Sequence, residues 1–265
     1  MTNSLLVWWA FLLPKYDKGR EVMSIPSSLV RDLLVHTGFF EGHDGFSTVT
    51  GNFDRQGLSF GILQFNFGQE TLQPVLKDYI KYHESEFTSI FGKEKAAILK
   101  KVVFEYRKED QVSWGMSISL RGGGVVQEWK IPFQEMGRSR NNQKYQENAG
   151  MRYVGRAEDY CKRFGIITTQ GLAFMFDHIV QTYRFVDERS MFVKIRELED
   201  EYRKSHDRER LPDQDRLSVI LDYISESANQ KLRRGLIKDG YGNYLGKRYD
   251  IFDFGYGSLS YYSYF

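Results

Sequence analysis

Glycines at 45, 51, 57 and 61 break up a stretch of short β-like runs. No helix tolerates them at that density, because each interior glycine costs about 1 kcal/mol relative to alanine. Ser47-Thr48-Val49 and Leu58-Ser59-Phe60 read as strands joined by a turn over Asn52 to Gln56. On either side the apolar spacing is helical. Pro26-Ser27-Ser28 ahead of Leu29, Val30, Leu33 and Leu34 supplies an N-cap and an apolar face, and that helix runs out between Gly38 and Gly42. Further helices are predicted over 70–82, 93–104, 142–164, 168–183, 190–204 and 213–232. Residues 112–131 read as a second β-hairpin turning at Gly122-Gly123-Gly124. The chain is therefore expected to be α+β and mainly α, with a small β-hairpin sheet.

At 265 residues it can bury a large core in one domain or two close lobes. Residues 23–265 are read as a single domain of two lobes, and 1–22 as an uncertain leader or extension. The apolar run at 4–13 is too short for a membrane span and lacks the basic flank of a clear signal peptide, so no stable membrane insertion is expected. A net charge of +2 leaves no electrostatic footprint for nucleic acid. The single cysteine, Cys161, excludes an intrachain disulfide and lies at helical apolar spacing, as a buried small residue would. The tyrosine-rich tail after Leu236 reads as an edge strand or a loose terminus, with sugar stacking as the sharper alternative.

Two carboxylates then stand out. Glu41 closes the first helix beside Phe39 and Phe40, where the helix dipole and the aromatic rings both disfavour a negative charge, as a general acid near neutral pH requires. Asp54 falls in the hairpin turn, exposed and so ionised. An acid and a base on different elements suit glycosidic-bond hydrolysis. Gln56, Gln64 and Asn66 are candidates for binding sugar hydroxyls or amides, against the alternative that they satisfy backbone groups. Asp177, on an apolar helix face, must be paired if buried. His43 has no second histidine at ligand spacing and His178 reads as structural, so no metal and no cofactor is expected. No Gly-x-Ser-x-Gly elbow is present.

Residues 51–66, Gly-Asn-Phe-Asp-Arg-Gln-Gly-Leu-Ser-Phe-Gly-Ile-Leu-Gln-Phe-Asn, resemble the catalytic segment of bacterial chitosanases in the lysozyme-like superfamily. They resemble still more a related bacterial group of peptidoglycan-associated hydrolases. The stretches Gly171 to Gln181 and Gly246 to Asp250 share that likeness. The resemblance implies a two-lobed lysozyme-like fold and inverting hydrolysis, with Glu41 as acid, Asp54 as base and Ser59 helping to hold the attacking water. It further implies a buried ion network running from Asp177 to Glu41 through arginines, for which Arg216, Arg233 and Arg234 are candidates. The implied substrate is a β-1,4-linked amino-sugar polysaccharide, peptidoglycan first and chitosan second, met at the cell envelope or outside the cell. Gln56 stands where the chitosanases often have arginine, and the interval from Glu41 to Asp54 is shorter than theirs; both count against chitosan while leaving the acid/base chemistry intact. A non-catalytic wall-binding or structural module of the same shape is the alternative from another class.

Overall fold

The computed structural model describes residues 26–41, 44–52, 54–207, 209–224 and 227–256. Helix α1 (Ser27–Glu41) leads through a 3-10 turn (Gly45–Ser47) into a three-stranded antiparallel sheet of β1 (Val49–Thr50), β2 (Ser59–Phe60) and β3 (Phe65–Asn66). Its register pairs Thr50 with Ser59 and Ser59 with Asn66. Helices follow: α2 (Leu72–Tyr82), α3 (Glu84–Glu105), α4 (Lys108–Ser117), α5 (Gln127–Arg138), α6 (Arg140–Phe164), α7 (Thr169–Thr182), α8 (Glu188–Ser205), α9 (Asp213–Tyr223) and α10 (Ala228–Asp239). A hairpin of β4 (Tyr241–Tyr244) and β5 (Lys247–Asp250) then leads into a 3-10 turn (Ile251–Phe254). The architecture is mainly helical with a small antiparallel sheet, as the glycine pattern required.

Two apolar clusters define two lobes. One gathers α1, α7 and the later helices around Leu33, Leu34, Phe174, Phe176 and Ile220; the other gathers the sheet with α2 to α5 around Phe60, Phe65, Leu76, Phe87 and Phe133. Leu63 and Tyr153 pack against both. Helix α7 is buried on every side from Thr169 to Ile179, so its one carboxylate, Asp177, has no route to water. Cys161 is buried too, and burial pushes its thiol well above the usual range.

Residues 112–131 are not a hairpin. They form the end of α4 and the start of α5, joined by a turn that the single bridge Ser119↔Val125 closes. Two signals override the alternation. Glu109 and Asp110 supply the negative charge that favours a helix N-terminus, and Trp129, Phe133 and Met136 share one buried face of α5 at helical spacing. Gly115 also has to be glycine, because a Cβ there would come within 2.5 Å of the Leu58 backbone nitrogen. The helix expected over 213–232 is two helices, since Ser227 starts α10 with a capping box to Gln230.

Candidate functional site

Glu41 ends α1 on the lobe built around α7. Its Oε1 accepts from Arg233 Nη1 at 2.5 Å and from Gln181 Nε2 at 2.5 Å, and its side chain keeps 23% exposure. Phe40 packs edge-on to Tyr244 at 4.9 Å, and the Arg233 guanidinium lies 4.7 Å over its ring. The Phe40 ring thus backs the arginine, and it is the arginine that meets Glu41.

Behind this pair lies a buried ion network. Asp177 receives Arg233 Nε at 2.9 and 2.8 Å on its two oxygens, Arg234 Nη1 at 3.0 Å, and the Thr37 hydroxyl at 3.2 Å. Burial by itself pushes the Asp177 carboxyl up, but the two guanidiniums outweigh it and hold the carboxyl below the ordinary value. Arg233 and Arg234, neighbours on α10, both reach Asp177. Arg216 does not: it sits on α9, pairs with Glu199 of α8 and donates to the Phe164 and Leu211 carbonyls. Its place in the expected network is corrected accordingly, since a cation already committed to Glu199 and two carbonyls is held away from Asp177.

His36, one turn before Glu41 on α1, is fully buried. Its Nε2 lies 2.7 Å from the Tyr249 hydroxyl and its Nδ1 lies 2.9 Å from that of Tyr256. A neutral imidazole fits, one nitrogen donating and the other accepting. Burial drives the ring's pKa down to about 3, with Arg233 adding to that and Asp177 opposing it. Two of the tail tyrosines therefore serve as internal anchors, while Tyr241 remains exposed. An acid-stability consequence follows. The folded ring titrates near 3 and the unfolded ring near 6.5, so between those values the unfolded chain binds the extra proton and stability falls as pH drops, by about 1.4 kcal/mol per unit. Urea unfolding of the parent at pH 6.5 and pH 5 should include a loss of roughly 2 kcal/mol from this source, absent in His36→Phe. An unchanged difference in the variant would contradict it.

On the other lobe, Asp54 is exposed and accepts from the Gln56 backbone N–H at 3.1 Å, forming an Asx turn followed by Arg55 at positive φ. Ser59 is buried in β2 between Thr50 and Asn66. Gln64 sits at the end of the turn 61–64, with its Nε2 on the Gly61 carbonyl at 2.8 Å and its Oε1 against the Thr50 hydroxyl. Asn66 is 4% exposed and closes the next turn, accepting from the Gln69 N–H at 2.8 Å. That overturns it as a sugar ligand, because its amide is spent inside the protein. Gln56 is half-buried against Gly68, where a Cβ would meet its Oε1 at 2.1 Å.

The two lobes touch at the turn 61–64. Gly38, in the last turn of α1, lies on Ile62 so closely that a Cβ would stand 2.7 Å from Ile62 Cγ1. The helix end bearing Glu41 and the hairpin bearing Ser59 thus adjoin, with Asp54 on the loop beyond. Gln181 was not singled out from sequence, although it follows Asp177 by four residues and so shares its helix face. His43 lies outside the described residues. Among those described, no three His, Cys, Asp or Glu side chains are grouped to hold a metal ion. His178 is structural, receiving Arg234 Nε on Nδ1 at 3.1 Å. A groove of about 540 Å³ between α8 and α9, lined by Lys194, Leu198, Tyr202, Asp215 and Tyr223, includes none of these candidates.

The chain has the fold of known chitosanases. It aligns with the native chitosanase of Bacillus subtilis over 82% of this chain and 89% of that one, at a TM-score of 0.52 and 13% identity. With a GH46 chitosanase of Gynuella sunshinyii, solved in complex with chitotetraose, it aligns over 86% and 98%, at 0.52 and 12%. No family model matches the sequence, and no curated protein matches it.

Proposed function

We propose that this chain, built on the chitosanase fold, is a glycoside hydrolase that cleaves β-1,4 bonds of an amino-sugar polysaccharide, peptidoglycan first, by inverting acid/base catalysis. The observation that carries the reading is Glu41 held at the end of α1 by Arg233, which Asp177 fixes in turn. With Asp177 already against it, Arg233 acts on Glu41 mainly as a hydrogen-bond donor that aims the carboxyl. Glu41 protonates the leaving glycosidic oxygen. Asp54, on its exposed loop, activates water on the opposite face of the ring, and Ser59 helps to place that water.

The choice of polymer rests on charge. Polyglucosamine carries a positive charge on each sugar at acidic to neutral pH and calls for carboxylates along its path. Around the candidate acid stand Arg233 and, across the Phe39 ring at 6.0 Å, Lys247. Beside Asp54 stand the exposed Arg55 and the half-buried Gln56, whose backbone N–H donates to it. Such surroundings suit N-acetylated sugars and carboxylate-bearing peptide stems better than a polycation. Chitosan is the second reading, favoured by the likeness in fold to chitosanases.

The test is to incubate the purified protein with peptidoglycan sacculi, chitosan and chitin oligosaccharides, and to identify products by mass. Muropeptides with new reducing ends are the expected outcome. Glucosamine oligomers alone would establish the second reading. Binding to sacculi without any product would overturn hydrolysis in favour of a wall-binding module.

A further inference from the structure

The candidate acid and base sit on different lobes, so something must fix the distance between them. Gln146, on α6, is fully buried and bonds to the segment that follows each of them. Its Oε1 accepts from the Ile62 N–H at 3.0 Å, in the turn that joins β2 to β3. Its Nε2 donates to the Phe46 carbonyl at 3.1 Å, in the 3-10 turn shortly after Glu41, and to Asn142 Oδ1 at 2.7 Å. One amide therefore ties the exit from the acid-bearing helix to the hairpin that carries Ser59 and follows Asp54.

The backbone is shaped around this amide. Gly61 has φ +85°, and a Cβ there would stand 2.2 Å from Gln146 Oε1. Gly137 lets α5 approach the same 3-10 turn, with a Cβ position 2.4 Å from the Phe46 carbonyl oxygen. Both loops thus press onto a buried donor and a buried acceptor of fixed spacing. Of the uncharged side chains only glutamine offers both at this length, and Leu63 and Tyr153 are the apolar residues that pack against both clusters. We propose that Gln146 is a positioning residue: it sets the separation of Glu41 from the Asp54–Ser59 hairpin, and so the room for the attacking water. The proposal rests on the hydrolase reading above.

Gln146→Met keeps the length of the side chain and removes both polar contacts. If the amide sets the gap, kcat on the polymer the parent cleaves should fall about 10- to 100-fold while KM stays within about twofold, as a displacement of an ångström or less does to reacting groups. The same change is then made in Asp54→Ala supplied with azide, a free nucleophile that replaces the activated water and needs no hairpin to place it. There Gln146→Met should have no further effect. Equal losses in both backgrounds, at temperatures well below each variant's unfolding midpoint, would mean a merely structural glutamine and overturn the proposal. Gln146→Glu serves if the Met variant does not fold. It keeps the acceptor and regains a donor only when protonated, so its kcat relative to the parent should rise as pH is lowered; a flat ratio would count against the proposal. A parent that cleaves no polymer in the panel removes the hydrolase reading and this proposal together, whereas an active parent with equal losses removes the proposal alone.

Discussion

Glu41→Gln is expected to lower turnover by about 10²- to 10⁴-fold while the protein still binds an uncleaved oligosaccharide. The amide keeps an acceptor oxygen where Oε1 now receives Arg233 and Gln181, so the carboxyl's place is held and only the proton it delivers is lost. Asp54→Asn should behave alike, because an asparagine oxygen still accepts from the Gln56 N–H and preserves the turn. Neither variant should lose more than about 1 kcal/mol of stability, because the amide oxygen of Glu41→Gln still receives Arg233 and Gln181 and Asp54 is exposed. Initial rates on the cleaved polymer, isothermal titration with a short oligosaccharide, and urea unfolding decide all three. Turnover by Glu41→Gln within a few fold of the parent would sink the assignment of the acid.

Asp177→Asn should damage the fold more than any other change considered. Its carboxylate is fully buried and receives two guanidiniums and a hydroxyl. An amide in its place turns an N–H₂ group toward arginine donors and leaves buried positive charge without its counter-ion. Breaking a buried pair from one side costs about 3–5 kcal/mol. For a chain of this size that is a fall in melting temperature of roughly 6–20 °C. The pH dependence has a definite sign. The folded carboxyl's pKa lies below its ordinary value, so its contribution is fully present above about pH 4 and fades as pH drops through the folded value. The gap between parent and variant in calorimetry should therefore be widest near neutrality and narrow in acid. A variant that melts with the parent at pH 7 would show that the network contributes nothing to stability.

What the sequence disclosed, and what it withheld, follows from range. Gly57 and Gly61 take φ +80° and +85°, a backbone glycine adopts without steric cost, and the β island was readable from them. Asp177 could be recognised as needing a partner, because a carboxylate on a wholly apolar helix face admits no other solution. Which arginine answers it could not be read. Arg233 and Arg234 lie side by side on α10 and both reach it, while the match of Arg216 to Glu199 depends on how α8 meets α9. Residues 112–131 alternate well enough to pass for strands, and the acidic pair Glu109 and Asp110 before them and the helical spacing of Trp129, Phe133 and Met136 outweigh that alternation. Asn66 spends its amide on the turn it closes, a competition between neighbours that composition does not reveal.

The acid's surroundings are drawn from opposite ends of the polypeptide. Glu41 meets a guanidinium 192 positions later, and His36 meets hydroxyls 213 and 220 positions later. Contacts so distant close last, after the loop entropy of the intervening chain has been overcome. A growing polypeptide lacking α10 and the β4–β5 hairpin thus carries Glu41 without the scaffold that aims it, and the site is complete only once synthesis has passed Tyr256.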